Sequence, residues 1–382
     1  MIKGRKLIEI RGTNFNNKGA ELMLYAVLEK MKHEFPEAEF AMEPKTPYFK
    51  RAGLHFYQIA QLKFWGLELG ILAKLIPARI RERFGLVLIK EVDIVIDASG
   101  FQYSDQWGTN SCLELAKACK RWKNNGTKII LLPQAFGPYK IKSNQKNIQK
   151  ALKYTDLVFA REKISYDYLT EVVGESPKLK IAPDFTNFID GIVSDDFDNK
   201  NNRLCIIPNH RMIDKTNKKD SKSYLPFMTE VTRYAYENDQ KPFILVHGDI
   251  NDLMLAEKIR DSVSSNVQII KETNPLKIKG IIGVSTGVVS SRFHGLVSAL
   301  SQGVPALAIG WSHKYQKLFD DYGFSEGLLD VNIAKVELHI KMDLMFDFST
   351  RDKIVSIIKK NCGNQKQQTK KMWDEVISFL KT

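Results

Sequence analysis

Short apolar runs recur along the chain at intervals that leave room for one helix between each pair. In the first half they occupy residues 6–10, 39–42, 92–97, 128–132 and 156–160, and residues 178–182 can close the set. Residues 18–33 carry apolar positions at helical spacing, and 112–124 and 144–153 read as helices. Runs that are apolar at nearly every position suit strands buried on both faces, the usual condition of a parallel sheet. The polar stretch 194–202 has a linker's composition and sits near the midpoint. After it the rhythm restarts with runs at 204–207, 243–246, 267–270, 287–289 and 306–309, separated by helical stretches at 225–237, 253–263 and 296–301. The pattern predicts an α/β protein of two tandem Rossmann-like parallel-sheet domains, residues 1–195 and 203–349, with strand ends facing an interdomain cleft. A helical segment, 350–382, is expected to pack back across the domains.

Length agrees with this division, because 382 residues exceed what one hydrophobic core usually serves. With 43% hydrophobic and 26% charged residues, the chain is neither disordered nor fibrous in composition. Lys and Arg number 57 against 44 Asp and Glu, a net charge of +13 that points to an anionic partner. No zinc-finger spacing, RRM-type aromatic motif or compact Lys/Arg run accompanies that charge, so nucleic acid is set aside. Cys112, Cys119, Cys205 and Cys362 match no metal-binding spacing and fit reduced thiols. The first residues lack the apolar stretch of a signal peptide, so a cytoplasmic location is expected.

Residues 62–88 mix Phe64, Trp65, Leu67, Ile71 and Leu72 with Lys74, Arg79, Arg81 and Arg83, too charged to span a bilayer. Two readings remain open. One is a basic amphipathic helix at the inner face of a membrane; the other, preferred, is a core-packing helix with a solvated basic face.

Ligands of open α/β sheets bind beyond the carboxyl ends of the strands, so residues that follow the apolar runs carry the most weight. The first such end is a Gly/Asn-rich turn containing Asn14, Asn17, Lys18 and Gly19, where helix N–H groups would favour an anion or sugar hydroxyls; a plain turn with an Asn cap explains it nearly as well. Next come Asp97-Ala98-Ser99-Gly100, in which Asp97 could simply hold the turn, and Pro133-Gln134-Ala135, which offers the Gln134 amide. Arg161 and Glu162 follow, as a cleft-facing arginine or a structural ion pair, and then Pro183-Asp184. The most specific is Ser290-Ser291-Arg292-Phe293-His294-Gly295. Here an apolar strand runs into a helix expected to start near Gly295, which sets Arg292 and His294 beside helix N–H groups and makes a phosphate clamp. The alternative is a buried arginine bridging the domains and a histidine satisfied by backbone carbonyls.

These motifs, in this order and with Gly303-Val304-Pro305 and Lys314 after them, resemble the polysaccharide pyruvyltransferases. The resemblance spans nearly the whole chain. It implies a GT-B-like scaffold and transfer of the enolpyruvyl carbons of phosphoenolpyruvate onto two hydroxyls of a sugar, giving a cyclic ketal. Arg292 and His294 match the family's donor-binding positions, and Arg161 matches a further donor arginine. The chain departs from the commoner pattern at Lys18-Gly19, where many members read Gly-Asp.

Phosphoenolpyruvate carries a carboxylate and a phosphate, and several cations would have to meet them at once. Arg292 and His294 are the candidate catalytic pair, with Arg161, Ser291, Gly295 and Lys314 on the donor. Asn14, Asn17, Lys18, Asp97, Ser99, Gln134 and Asp184 are expected on the acceptor, and Asp97, Glu162 or Asp184 as the base. The chemistry requires no metal and no cofactor beyond phosphoenolpyruvate as co-substrate. The acceptor would be a lipid-linked or nucleotide-linked saccharide. Two rivals share the fold: a glycosyltransferase using a nucleotide sugar, and a non-catalytic carbohydrate- or anion-binding protein. The cation Lys314, where many glycosyltransferases place a carboxylate for the donor ribose, favours the phosphate-carboxylate donor.

Overall fold

The computed structural model describes residues 5–61, 63–64, 67–310 and 313–382. Residues 1–4, Leu62, Trp65, Gly66, Trp311 and Ser312 lie outside the described residues.

The first set of strands is β1 (Leu7–Arg11), β2 (Glu39–Met42), β3 (Phe56–Ile59), the small antiparallel pair β4 (Lys63–Phe64) and β5 (Leu67–Glu68), β6 (Leu86–Val87), β7 (Ile94–Asp97), β8 (Lys128–Gln134), β9 (Leu157–Ala160) and β10 (Leu179–Ile181). All but β4 and β5 join one parallel sheet in the order β10-β9-β8-β7-β1-β2-β3-β6. A second parallel sheet, ordered β13-β12-β11-β14-β15-β16, takes β11 (Leu204–Ile207), β12 (Pro242–Leu245), β13 (Gln268–Ile270), β14 (Gly287–Ser290), β15 (Ala306–Ile309) and β16 (Leu328–Leu329). These are the two Rossmann-like parallel-sheet domains that the apolar rhythm predicts, on the GT-B-like scaffold that the family resemblance implies.

Burial on both faces explains why the strands read as continuous apolar runs. In the second sheet, Cys205, Ile207, Phe243, Leu245, Val288, Ala306 and Ala308 enter one core, and their alternates Leu204, Ile206, Ile244, Val289, Leu307 and Ile309 enter another. Within the two parallel sheets, the strands that the rhythm misses are short or alternating ones, β3, β6 and β16, of which β6 and β16 form sheet edges. All four cysteines are buried and free.

Two compact units emerge. The first comprises Met1–Phe15, Met23–Phe185 and Lys371–Thr382; the second comprises Asn16–Leu22 and Thr186–Lys370. The division falls at Phe185, ahead of the polar stretch 194–202. The helix Phe348–Lys381 serves both units: Cys362 donates to the Ser301 carbonyl in the second, while Trp373 packs edge-on against Phe185 and the Leu380 carbonyl accepts from Lys6 in the first.

The preferred reading of residues 62–88 does not hold for the described part. A 3-10 turn (Leu69–Leu75) precedes Pro77 and a six-residue helix (Ala78–Arg83), and Leu75, Ile80 and Phe84 are exposed. Proline at the junction interrupts any continuous helix, so one apolar face cannot be carried through to a core.

Within β1, Glu9 is buried, with Arg11 at 3.8 Å. Burial, only partly offset by Arg11, pushes its carboxyl up to about 7 from 4.5. Below pH 4.5 the group is protonated in both folded and unfolded chains and costs nothing. As pH rises from 4.5 to 7 only the unfolded chain gives up the proton, and about 3 kcal/mol of stability is lost across that window. Glu9→Gln is therefore expected to raise the urea-unfolding midpoint at pH 8 and to leave it unchanged at pH 4.

Candidate functional site

Each sheet reverses its strand order once, at β1 beside β7 in the first and at β11 beside β14 in the second. At such a reversal the connections leave toward opposite faces, and a crevice opens at the strands' carboxyl ends. In the second unit the polar residues gather there, whereas in the first they extend from Asp97 at the end of β7 to Arg161 and Asp184 beyond β9 and β10.

In the second unit, β14 ends at Ser290 and the chain turns through Ser291 and Arg292 into the helix Phe293–Leu300. This helix starts two residues before the expected Gly295, so Arg292 is its N-cap and His294 lies in its first turn. The turn is braced from three sides. Asn209, just beyond β11, donates to the Ser291 carbonyl at 3.0 Å, as does the Tyr315 hydroxyl, and the Tyr224 and Ser291 hydroxyls are 2.7 Å apart. Ser291, expected to touch the donor, is instead fully buried and spends its polar groups on this scaffold. Gly295 is likewise a packing position, since a Cβ there would meet Ile207 at 3.0 Å and Ser290 at 3.2 Å.

The guanidinium of Arg292 forms an ion pair with Asp252, itself fully buried and accepting from the His210 N–H at 2.9 Å. One carboxylate thus fixes one end of the fork, while the buried Nε of Arg292 has no hydrogen-bond partner among the described residues. His247, two residues past β12, is buried close by. Desolvation, reinforced by the charges of Arg292, His294 and Lys18, holds its imidazole neutral with a pKa of about 3. Its Nδ1 is buried without a hydrogen-bond partner among the described residues.

The turn 16–22 belongs with this cluster and not with the first unit, where the sequence pattern puts it. Asn17 accepts from the Gly19 N–H at 3.0 Å, the Asn cap of the simpler reading, and Lys18 pairs with the buried Glu21 at 2.6 Å. Gly19 lies against His294: a Cβ there would come within 2.9 Å of the histidine's Cγ and Cβ. Of the acceptor contacts expected from this stretch, Asn14 stays in the first unit, where it is exposed, while Asn17 and Lys18 go to the second. Lys314 stands 5.0 Å over the Phe293 ring, which in turn meets the His294 ring edge-on at 5.6 Å. Lys18, His247, Arg292 and His294 therefore form a cationic and imidazole group balanced by Asp252 and Glu21.

In the first unit, Asp97 closes β7 fully buried. It accepts from the Ser99 N–H at 3.0 Å and the Tyr103 hydroxyl at 2.7 Å, with the Gln134 amide at 3.5 Å. Burial and the Asp97 charge raise the Tyr103 pKa well above its ordinary value, so it remains the donor. Asp97 and Gln134, expected at the acceptor, hold the turn together, and Ser99 packs so closely on Gly12 that only glycine fits there, at φ 74°. Arg161 pairs with Asp184 at 3.1 Å, both buried, and Glu162 accepts from Ser165. Among the described residues no group of three or more His, Cys, Asp or Glu side chains could hold a metal ion, and no helix is long and apolar enough to cross a membrane.

The sequence model of the polysaccharide pyruvyl transferase family matches residues 17–313. The chain belongs to that family. The match begins in the turn that packs on His294 and runs through Arg292 and His294, ending just before Lys314 and Tyr315. No curated protein matches the sequence. Solved structures share the fold at low identity. A putative UDP-N-acetylglucosamine 2-epimerase from Listeria monocytogenes is 14% identical with a TM-score of 0.61, over 98% of this chain and 96% of its own. The Anabaena protein HepE in complex with UDP-glucose is 13% identical, TM-score 0.58, over 98% and 99%. UDP-GlcNAc 2-epimerase from Neisseria meningitidis bound to UDP-GlcNAc is 13% identical, TM-score 0.59, over 99% and 100%.

Four residues of this pyruvyl transferase family member's cluster are not among the site residues expected from the sequence: Glu21, Asn209, His247 and Asp252. His247 and Asn209 do follow apolar runs, which is the signal that finds them. Asp252 stands in the first turn of the helix Ile250–Asp261, forty residues from its arginine, and nothing local marks it. The contact at Gly19 yields a prediction. Gly19→Ala is expected to displace the His294 ring and lower kcat/KM by about 100-fold, as misplacements near 1 Å do, with little change in Tm. Unaltered turnover would mean the ring can move freely.

Proposed function

We propose that this transferase moves the pyruvyl group of phosphoenolpyruvate onto two hydroxyls of a sugar in a surface-polysaccharide precursor, in the cytoplasm, releasing phosphate. One observation carries the reading. At the strand-order reversal of the second sheet, Arg292, His294 and Lys18 converge around a neutral, buried His247. A dianionic group beside a carboxylate suits that charge, and the helix N-terminus at Phe293 adds oriented N–H groups.

In this proposal Arg292, aimed by Asp252, and Lys314 take the phosphate and carboxylate. His294 delivers a proton to the methylene carbon, so C2 becomes electrophilic. A sugar hydroxyl adds to C2 and loses its proton to a carboxylate base. The C2–O bond to phosphate breaks, inorganic phosphate leaves, and the second hydroxyl adds to C2, losing its proton to close the ketal. No cofactor takes part. The acceptor is a lipid-linked or nucleotide-linked saccharide.

A second reading is favoured by the ligands of two neighbours of the same fold, UDP-glucose and UDP-GlcNAc: a glycosyltransferase using a nucleotide sugar. Pure protein incubated with phosphoenolpyruvate and a panel of lipid-linked and nucleotide-linked sugars distinguishes them. The proposal expects phosphate release matched one to one by a ketal-bearing product. Turnover of a nucleotide sugar with phosphoenolpyruvate untouched would replace it by the second reading.

A further inference from the structure

The segment 72–84 has its polarity inverted. Its buried charged residue is Arg81, whose guanidinium forks onto Glu91 with two bonds of 2.7 Å and whose Nε donates to the Ile76 carbonyl. Glu91 also accepts from the Leu88 N–H at 2.8 Å, so the short helix Ala78–Arg83 is clamped to the first unit through its one inward cation. The large apolar side chains face the other way. Leu72, Leu75, Ile76, Ile80 and Phe84 are all exposed, Leu75 by 81% and Phe84 by 68%. Five such side chains within thirteen residues form a patch of the kind that marks an interaction surface.

Charge selects the partner. Lys74, Arg79 and Arg83 are exposed among these apolar residues, and Glu82 is the single exposed acid of the segment. On the helix Tyr48–Gly53, which packs on β3 next to β6, Tyr48 and Phe49 are also exposed, with Lys50 beside them. Apolar side chains interleaved with Lys and Arg match the interface of an anionic bilayer, where the former enter the acyl boundary and the latter meet phosphate headgroups. A second copy of a chain carrying +13 would instead bring like charges together. We propose that residues 72–84 dock the first unit reversibly on an anionic phospholipid surface. The inference is independent of the reaction proposed above.

Co-sedimentation with sucrose-loaded vesicles tests it, comparing pure phosphatidylcholine with a phosphatidylcholine–phosphatidylglycerol mixture. The proposal expects partitioning onto the anionic vesicles at least about tenfold above the neutral ones, weakening as salt rises. Leu75→Ser/Ile80→Ser/Phe84→Ser should lower it about tenfold or more, and Arg79→Gln/Arg83→Gln should remove the preference for anionic lipid. All five positions are exposed, so unfolding is not expected of either variant. Absence of binding to anionic vesicles at low salt, or binding by the triple variant equal to the parent's, overturns the proposal. So does a concentration-dependent dimer in sedimentation equilibrium that the triple variant abolishes, which would assign the patch to a second copy.

Discussion

Arg292→Ala is expected to weaken phosphoenolpyruvate binding and to lower kcat/KM by about 10²–10³-fold. Its guanidinium is held by a fully buried carboxylate, Asp252, at the carboxyl end of β14. On the proposed function, truncation removes a forked contact to the donor, a loss of about 3–4 kcal/mol in transition-state stabilisation. It also leaves Asp252 buried without its counter-charge, so some stability goes with it. Arg292→Lys separates the effects: the ammonium keeps a charge near Asp252 and restores most of the Tm, while donor affinity stays low because a point charge cannot fork. Equal rescue of both would mean that Arg292 serves the fold alone.

The second large effect is on acid stability. His247 titrates near 3 in the folded chain against an ordinary 6.5, because burial, reinforced by the positive charge of Arg292 nearby, opposes its protonation. Above pH 6.5 the imidazole is neutral in folded and unfolded chains alike. As pH falls from 6.5 toward 3 only the unfolded chain takes up the proton, and about 5 kcal/mol of stability is lost across that window. His247→Asn should flatten this slope, so that the urea-unfolding midpoint falls far less between pH 7 and pH 4 than in the parent. An unchanged slope would locate the acid sensitivity elsewhere.

Much of this architecture is legible in the sequence because burial on two faces writes itself as unbroken apolar runs. Glu39–Met42, Leu204–Ile207 and Ala306–Ile309 are read to the residue. Strands of two residues, such as β6 and β16, leave no such run. Strand-end logic also finds Arg292 and His294, since the chemistry of an open parallel sheet gathers where strands stop. It cannot find what tertiary contact decides. Nothing local says that Lys18 and Gly19, only a short turn from β1 in sequence, pack beside His294, or that Asp252 aims Arg292. Nor does it separate a carboxylate at work from one holding a turn: Asp97 ends a strand as a catalytic group would, yet both its oxygens are engaged by Ser99 and Tyr103.

The central claim, that the cluster of Arg292 and His294 is a phosphoenolpyruvate site, is tested most directly by calorimetric titration of phosphoenolpyruvate into the parent and Arg292→Ala proteins. Saturable one-to-one binding to the parent, lost or weakened at least about 100-fold in the variant while UDP alone does not compete, is the predicted result. Binding of equal strength to both proteins, or displacement of phosphoenolpyruvate by UDP from the same site, would contradict it.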